Sequence, residues 1–237
     1  MAATSVGIAS RAHLDVLTSY VISMARTVET SVHRALTALQ TGGANLSVQT
    51  PGEIFLLEPR INEMEMMIDD SAVRMLRDER LGVDEIRQIV ATLKITNDLE
   101  RMGDLAVNIG ERIISLAEMP PVAAPPELEP MISATATMVK KSLGALIFRN
   151  VTLASEVLES DDLVDRYRDR IFERLMAGMR EDPTDIAPNL QLVLVSRHLE
   201  RLADHATNIA EDIIFWVRGL DVRHGRARES QSTASHT

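Results

Sequence analysis

The stretch from Leu99 to Ile114 returns a hundred residues later, from Leu199 to Ile214, with ten of sixteen positions identical. Unrelated segments of average composition would share about one. The repeat therefore reports a duplication, and it restricts the chain to folds built from two like units. In both copies the pattern is helical. Counting about 100° per residue from Glu100, Asp104 falls near 40°, Asn108 near 80° and Glu111 near 20°. Leu99, Met102, Ala106, Ile109 and Ile113 take the opposite side. Glu200, Asp204, Asn208 and Glu211 stand in the same way against Leu199, Leu202, Ala206, Ile209 and Ile213.

The rest of the chain supplies partners for these helices. Small or apolar residues at Leu14, Leu17, Val21, Met24, Val28, Ser31, Ala35 and Ala38 recur at three- and four-residue intervals, the seam of one long helix. That helix is expected to stop near "TGGAN". A second is expected from "TPGE", with Thr50 as its cap, and Pro59 is expected to kink or split it. A third should run from Asp84 to Glu118. Five prolines in the twelve residues 119–130 read as a stiff linker. Beyond it come helical patterns over 131–149, 152–181 and 186–220. The expected architecture is all-α, two tandem three-helix bundles related by internal duplication. Residues 1–118 and 131–224 are the two bundles, 119–130 is the linker, and 225–237 is a disordered tail.

Aromatics make up only 3% of the chain, which suits helix-on-helix packing. A net charge of −10 disfavours nucleic acid or an anionic membrane as a direct partner. No cysteine is present, so disulfides and thiolate metal sites are excluded. The first residues lack the basic and apolar regions of a secretory signal, and no run approaches the roughly 18 apolar residues of a membrane span. A soluble, intracellular protein is the expectation.

The second helix of each half carries its own acidic face: Glu58, Asn62, Glu65 and Asp69 in the first, Asp161, Asp165 and Asp169 in the second. Placed beside the repeated stripes, these offer clustered carboxylate and amide oxygens without thiols, a donor set for Mg²⁺, Mn²⁺ or Fe rather than structural Zn²⁺. The Glu-x-x-His pairs of a di-iron site are missing from these helices. The plain alternative is a solvated acidic face neutralised by Arg101, Arg112, Arg166, Arg168, Arg197 and Arg201. A metal-dependent phosphohydrolase built on bridging carboxylates is a further alternative. It lacks a phosphate-cradling Gly-rich loop, a His-rich motif and a Ser-His-Asp order. His205, near 140°, reads as a packing residue more than a ligand.

"DLERMGDLAVNIGE" and "HLERLADHATNIAE", with "INEMEMMIDD" before the first and "IIFWVRGLDVRH" after the second, resemble the duplicated signature of the PhoU family over residues 10–224. The resemblance implies a cytoplasmic negative regulator of phosphate uptake and of the phosphate-starvation response. Such a protein is an adaptor between the ATPase subunit of the phosphate ABC transporter and a sensor histidine kinase, meets the membrane only through these partners, forms a homodimer and is not an enzyme. It also implies multinuclear iron or zinc, with Mn or Mg as other candidates, on Glu/Asp-x-x-x-Asp motifs. These map to Glu100 with Asp104, Glu200 with Asp204, Asp161 with Asp165, and Glu58 with Asn62; Asn108 and Asn208 extend the set. Asn62 is a neutral ligand, so the first site is expected to be the weaker.

Overall fold

The computed structural model describes residues 2–41, 49–77, 81–223 and 228–229. Helix α1 spans Ala2–Thr41, α2 Gln49–Phe55, α3 Glu58–Leu76 and α4 Val83–Ala117. The second half repeats the order with α5 Leu128–Phe148, α6 Val151–Leu158, α7 Asp161–Glu181 and α8 Ile186–Arg218. Every member of the predicted α1 seam is buried, as are both repeated apolar faces on α4 and α8. Burying a Leu or Ile side chain contributes about 1.5–3 kcal/mol, so these matched faces dominate the stability of each bundle.

Several boundaries differ from expectation. The "TGGAN" stop lies largely outside the described residues, and α2 begins at Gln49, one residue before its expected cap. Pro59 falls in the first turn of α3, where a missing N–H leaves no helical bond unmade, and the chain breaks just before it at Leu56–Leu57. The second half was expected to run unbroken over 152–181, yet it breaks at the matching place without a proline. There Ser160 N–H bonds the Val157 carbonyl at 3.0 Å and Ser160 Oγ bonds the Glu156 carbonyl at 2.8 Å. The serine competes with the backbone for helix acceptors, and a new helix starts at Asp161. Leu128 opens α5 earlier than expected, because Pro130 is tolerated so near a helix start.

The turn from α5 to α6 rests on Arg149, left-handed at φ 50°, whose guanidinium lies 4.7 Å from the Trp216 ring centroid. Asn150 then caps α6, its Oδ1 accepting from the N–H groups of Thr152 and Leu153 at 2.9 and 3.2 Å. By length and mean hydropathy, 1.2, α5 is apolar enough to cross a membrane, contrary to the sequence expectation. Half of that stretch is buried, against α1, α6, α7 and α8. After Gly219, left-handed at φ 69°, Leu220–Asp221 pairs with Arg228–Glu229 in a short antiparallel ladder. Apart from Arg228 and Glu229, the residues of the expected tail, 225–237, lie outside the described residues, as does 224.

The halves join back to back through α4 and α8. Lys94 meets Asp212 and Arg112 meets Gln191, so the two helices run antiparallel. Helix α1 also packs on α5.

Candidate functional site

Acidic side chains collect where α3 meets α4 and where α7 meets α8. The buried positions Ile61, Ile68 and Ala72 of α3 match Val164, Ile171 and Leu175 of α7. This alignment sets Glu58 against Asp161, Asn62 against Asp165, and Glu65 against Arg168. The last pair reverses charge, and it separates the two clusters chemically.

In the first half, burial and then the Asp104 carboxylate push Glu100 above the usual carboxylate range. Burial, followed by Asp69 and Asp104, does the same to Glu65. Arg101 is the nearest cation, its nitrogens 3.4 Å from Glu100 and 3.8 Å from Asp104, and half exposed. Asn62 Nδ2 donates to Glu58 at 3.0 Å. Asn62 Oδ1 on α3 is buried with no hydrogen-bond partner, and Glu100 Oε2 on α4, also buried, has only its ion pair with Arg101. An orphaned buried acceptor costs about 1–3 kcal/mol.

In the second half the corresponding acceptors are served. Arg168 binds Glu200 on α8, Asp165 at 3.3 Å and Asp169 at 2.9 Å. Thr207 Oγ1 donates to Asp161 at 3.3 Å. Burial raises Asp161 against that hydrogen bond. Asp204 reaches solvent, and among the described residues no cation is bound to it. Burial first, then Glu200, Asp161 and Asp165, raise it to about 6.

No group of three or more carboxylates or imidazoles among the described residues is placed ready to hold a metal ion. The two clusters differ in how they fit one. The first offers carboxylate and amide oxygens with Asn62 Oδ1 orphaned and only the half-exposed Arg101 beside them, and this suits a hard cation. The second already holds a guanidinium where a cation would sit.

The structure does not bring Asn208 into the acidic cluster. Its Nδ2 donates to Asp98 of the other half at 3.2 Å, and His205 Nδ1 meets the same oxygen at 2.7 Å. Asn108 is half-buried one turn beyond Asp104. His205 thus makes a polar bond between the halves instead of packing alone. Nearby, Lys94 bonds Asp212 at 3.0 Å and lies 5.5 Å from the Phe215 ring centroid. Asp212 is raised by burial, which outweighs the lysine. Lys94, Asp98, Asn208 and Asp212 line a 510 Å³ groove between α4 and α8. Sequence reasoning missed Asp98, Lys94 and Asp212, although the repeat held a signal: Asp98 aligns with His198, and His205 with Leu105.

Two four-helix units, joined through their duplicated last helices and each carrying carboxylates between its third and fourth helices, define a duplicated helical-bundle protein. The chain belongs to the PhoU family, whose PhoU domain model matches residues 21–113 and 128–213. It is 35% identical over 217 residues to the phosphate-specific transport system accessory protein PhoU homolog of Pseudomonas aeruginosa, across 90% of this chain and 87% of that one. The homolog of the same name from Aquifex aeolicus is 35% identical over 209 residues, across 88% and 93%. The crystal structure of PhoU from Pseudomonas aeruginosa superposes with a TM-score of 0.81 at 32% identity, covering 88% of this chain and 99% of that one. That of the phosphate transport system regulatory protein PhoU from Streptococcus pneumoniae shares the fold, with a TM-score of 0.79 at 23% identity over 90% and 99%.

Proposed function

We propose that this chain is a cytoplasmic accessory protein of a phosphate transport system that represses phosphate uptake and the phosphate-starvation response when phosphate is plentiful. It acts as an adaptor, linking the transporter's ATPase subunit to a sensor histidine kinase. Binding is its role, not catalysis. The observation that carries this reading is the match, along nearly the whole chain, to relatives named as accessory proteins of phosphate-specific transport. The acidic stripes along α3–α4 and α7–α8, where carboxylates outnumber Arg101 and Arg168, support it, since such stripes favour cationic segments on a partner.

A divalent cation belongs to the same reading, in the first half. Glu65, Glu100 and Asp104, with the orphaned Asn62 Oδ1, would hold it. A bound cation would neutralise these carboxylates and fix α3 against α4. The second cluster takes Arg168 in its place, so the first site is the stronger of the two, opposite to the order that its neutral Asn62 suggests.

Deletion of the gene in a strain with no second copy tests the adaptor role. Secreted phosphatase activity should stay high in phosphate-rich medium and return to repression when the gene is restored. Normal repression in the deletion strain would refute it.

A further inference from the structure

A second groove shares no lining residue with either acidic cluster or with the groove between α4 and α8. It runs between α1 and the start of α3, measures 570 Å³, and is lined by Ser19, Ser23, Arg26, Thr27, Thr30 and Arg60, with Ile22 and Leu57 as its apolar walls. Among the described residues no acid lines it, in a chain whose net charge is −10. Among the described residues neither Arg26 nor Arg60 makes an ion pair or a side-chain hydrogen bond. Other arginines of this chain find carboxylates: Arg34 binds Glu53, Arg74 binds Asp70, and Arg87 binds Asp84.

The hydroxyls are ordered by helical spacing. Ser19, Ser23 and Thr27 follow one another at four-residue steps along α1, and Thr30 lies one turn beyond Arg26. Ser19, Thr27 and Thr30 return their protons to helix carbonyls at 2.7, 3.1 and 2.9 Å. Those carbonyls already serve the helix, so a hydroxyl can turn to an incoming acceptor at little loss. Glu58, the acid next to this groove in sequence, is engaged by Asn62.

From this groove we infer that the chain has an oxyanion site, which takes a tetrahedral phosphate group between Arg26 and Arg60 with hydroxyls of α1 as further donors. Guanidinium forks match the paired oxygens of phosphate and give charge-assisted bonds about twice as strong as neutral ones. The hydroxyl rows supply donors along the remaining edges of the group. The inference stands apart from the adaptor reading, because it uses none of the acidic residues and no partner. Free phosphate and the phosphodiester headgroup of an anionic lipid share this chemistry.

The test compares the full chain with the Arg26→Gln/Arg60→Gln double variant, and with Ser23→Ala/Thr27→Val, which leaves both charges in place. Calorimetric titration with inorganic phosphate at constant ionic strength is run beside flotation on phosphatidylglycerol and phosphatidylcholine vesicles, with thermal melts to verify folding. Saturable phosphate binding, weakened about tenfold or more by the arginine variant and less by the hydroxyl variant, supports a site for the free ion. Flotation on phosphatidylglycerol alone, lost in the arginine variant and with no phosphate saturation, supports the lipid headgroup as the source. No response in either arm at millimolar phosphate, or an equal response from wild type and arginine variant, overturns the inference.

Discussion

Asp98 of α4 and His205 of α8 meet at 2.7 Å across the two halves, and the repeat places His198 and Leu105 at the equivalent positions on the other side of the junction. One end of the α4–α8 contact is thus held by a part-buried polar bond, while the equivalent positions of the repeat are a histidine and a leucine. His205→Leu leaves the buried Asp98 with Asn208 alone and should cost about 2–4 kcal/mol, read from urea unfolding. Adding Asp98→His reproduces the residue types that the repeat places at the equivalent positions and should recover most of the loss. An additive second loss would show that the two ends are not interchangeable.

Asp204 gives the fold a pH dependence of definite sign. Its folded value of about 6 lies above the ordinary 3.8, so the folded state holds a proton that the unfolded chain has released. Stability from this group is therefore full below pH 4 and declines as pH rises towards 6. Because the side chain reaches solvent, screening limits the effect to about 1 kcal/mol. Asp204→Asn should flatten the stability profile between pH 4 and 7; an unchanged slope in unfolding measured at each pH would reject this assignment.

Arg168 stands in for a cation within the second cluster. Removing it with Arg168→Ala leaves Glu200, Asp165 and Asp169 to repel one another and should lower stability by about 1–2 kcal/mol. Arg168→Glu copies the first half, where Glu65 holds the equivalent place. That variant should gain thermal stability from added Mn²⁺ or Mg²⁺ through its second half. A melting temperature indifferent to divalent ions would count against the comparison.

Metal content separates the two clusters directly. Protein purified without tag or chelator, then incubated with Fe²⁺, Mn²⁺, Zn²⁺ or Mg²⁺, should lose its bound ion in Glu100→Ala with Asp104→Ala and keep it in Glu200→Ala with Asp204→Ala. Elemental analysis of the folded variants decides it, and equal loss from both pairs would make the clusters equivalent.

Asn150 offers a control far from any charge cluster. Asn150→Ala removes the cap of α6 and should cost about 1 kcal/mol in unfolding, with no change in metal or phosphate binding.

Much of this fold is visible in the residue spacing. The α1 seam and the apolar faces of α4 and α8 are one-sided patterns, and helical periodicity reports such patterns well. The acidic clusters are legible for the same reason. What periodicity hides is a third face. Lys94, Asp98 and His205 lie between the acidic stripe and the apolar side, and whether such positions meet solvent or another helix depends on how two distant bundles dock. Arg168 was hidden differently. It reads as one of several neutralising arginines until the buried positions of α3 and α7 are aligned. The break at Ser160 escaped because a serine is compatible with a helix, and only its bond to the Glu156 carbonyl shows what it does there.

The antiparallel run of α4 on α8 has a geometric corollary. The two acidic stripes lie on helices that run in opposite directions across one junction. A partner long enough to touch both gains avidity from the second contact, because its first contact sets the local concentration of the rest. A short partner meets two similar berths instead, and two of them can sit side by side.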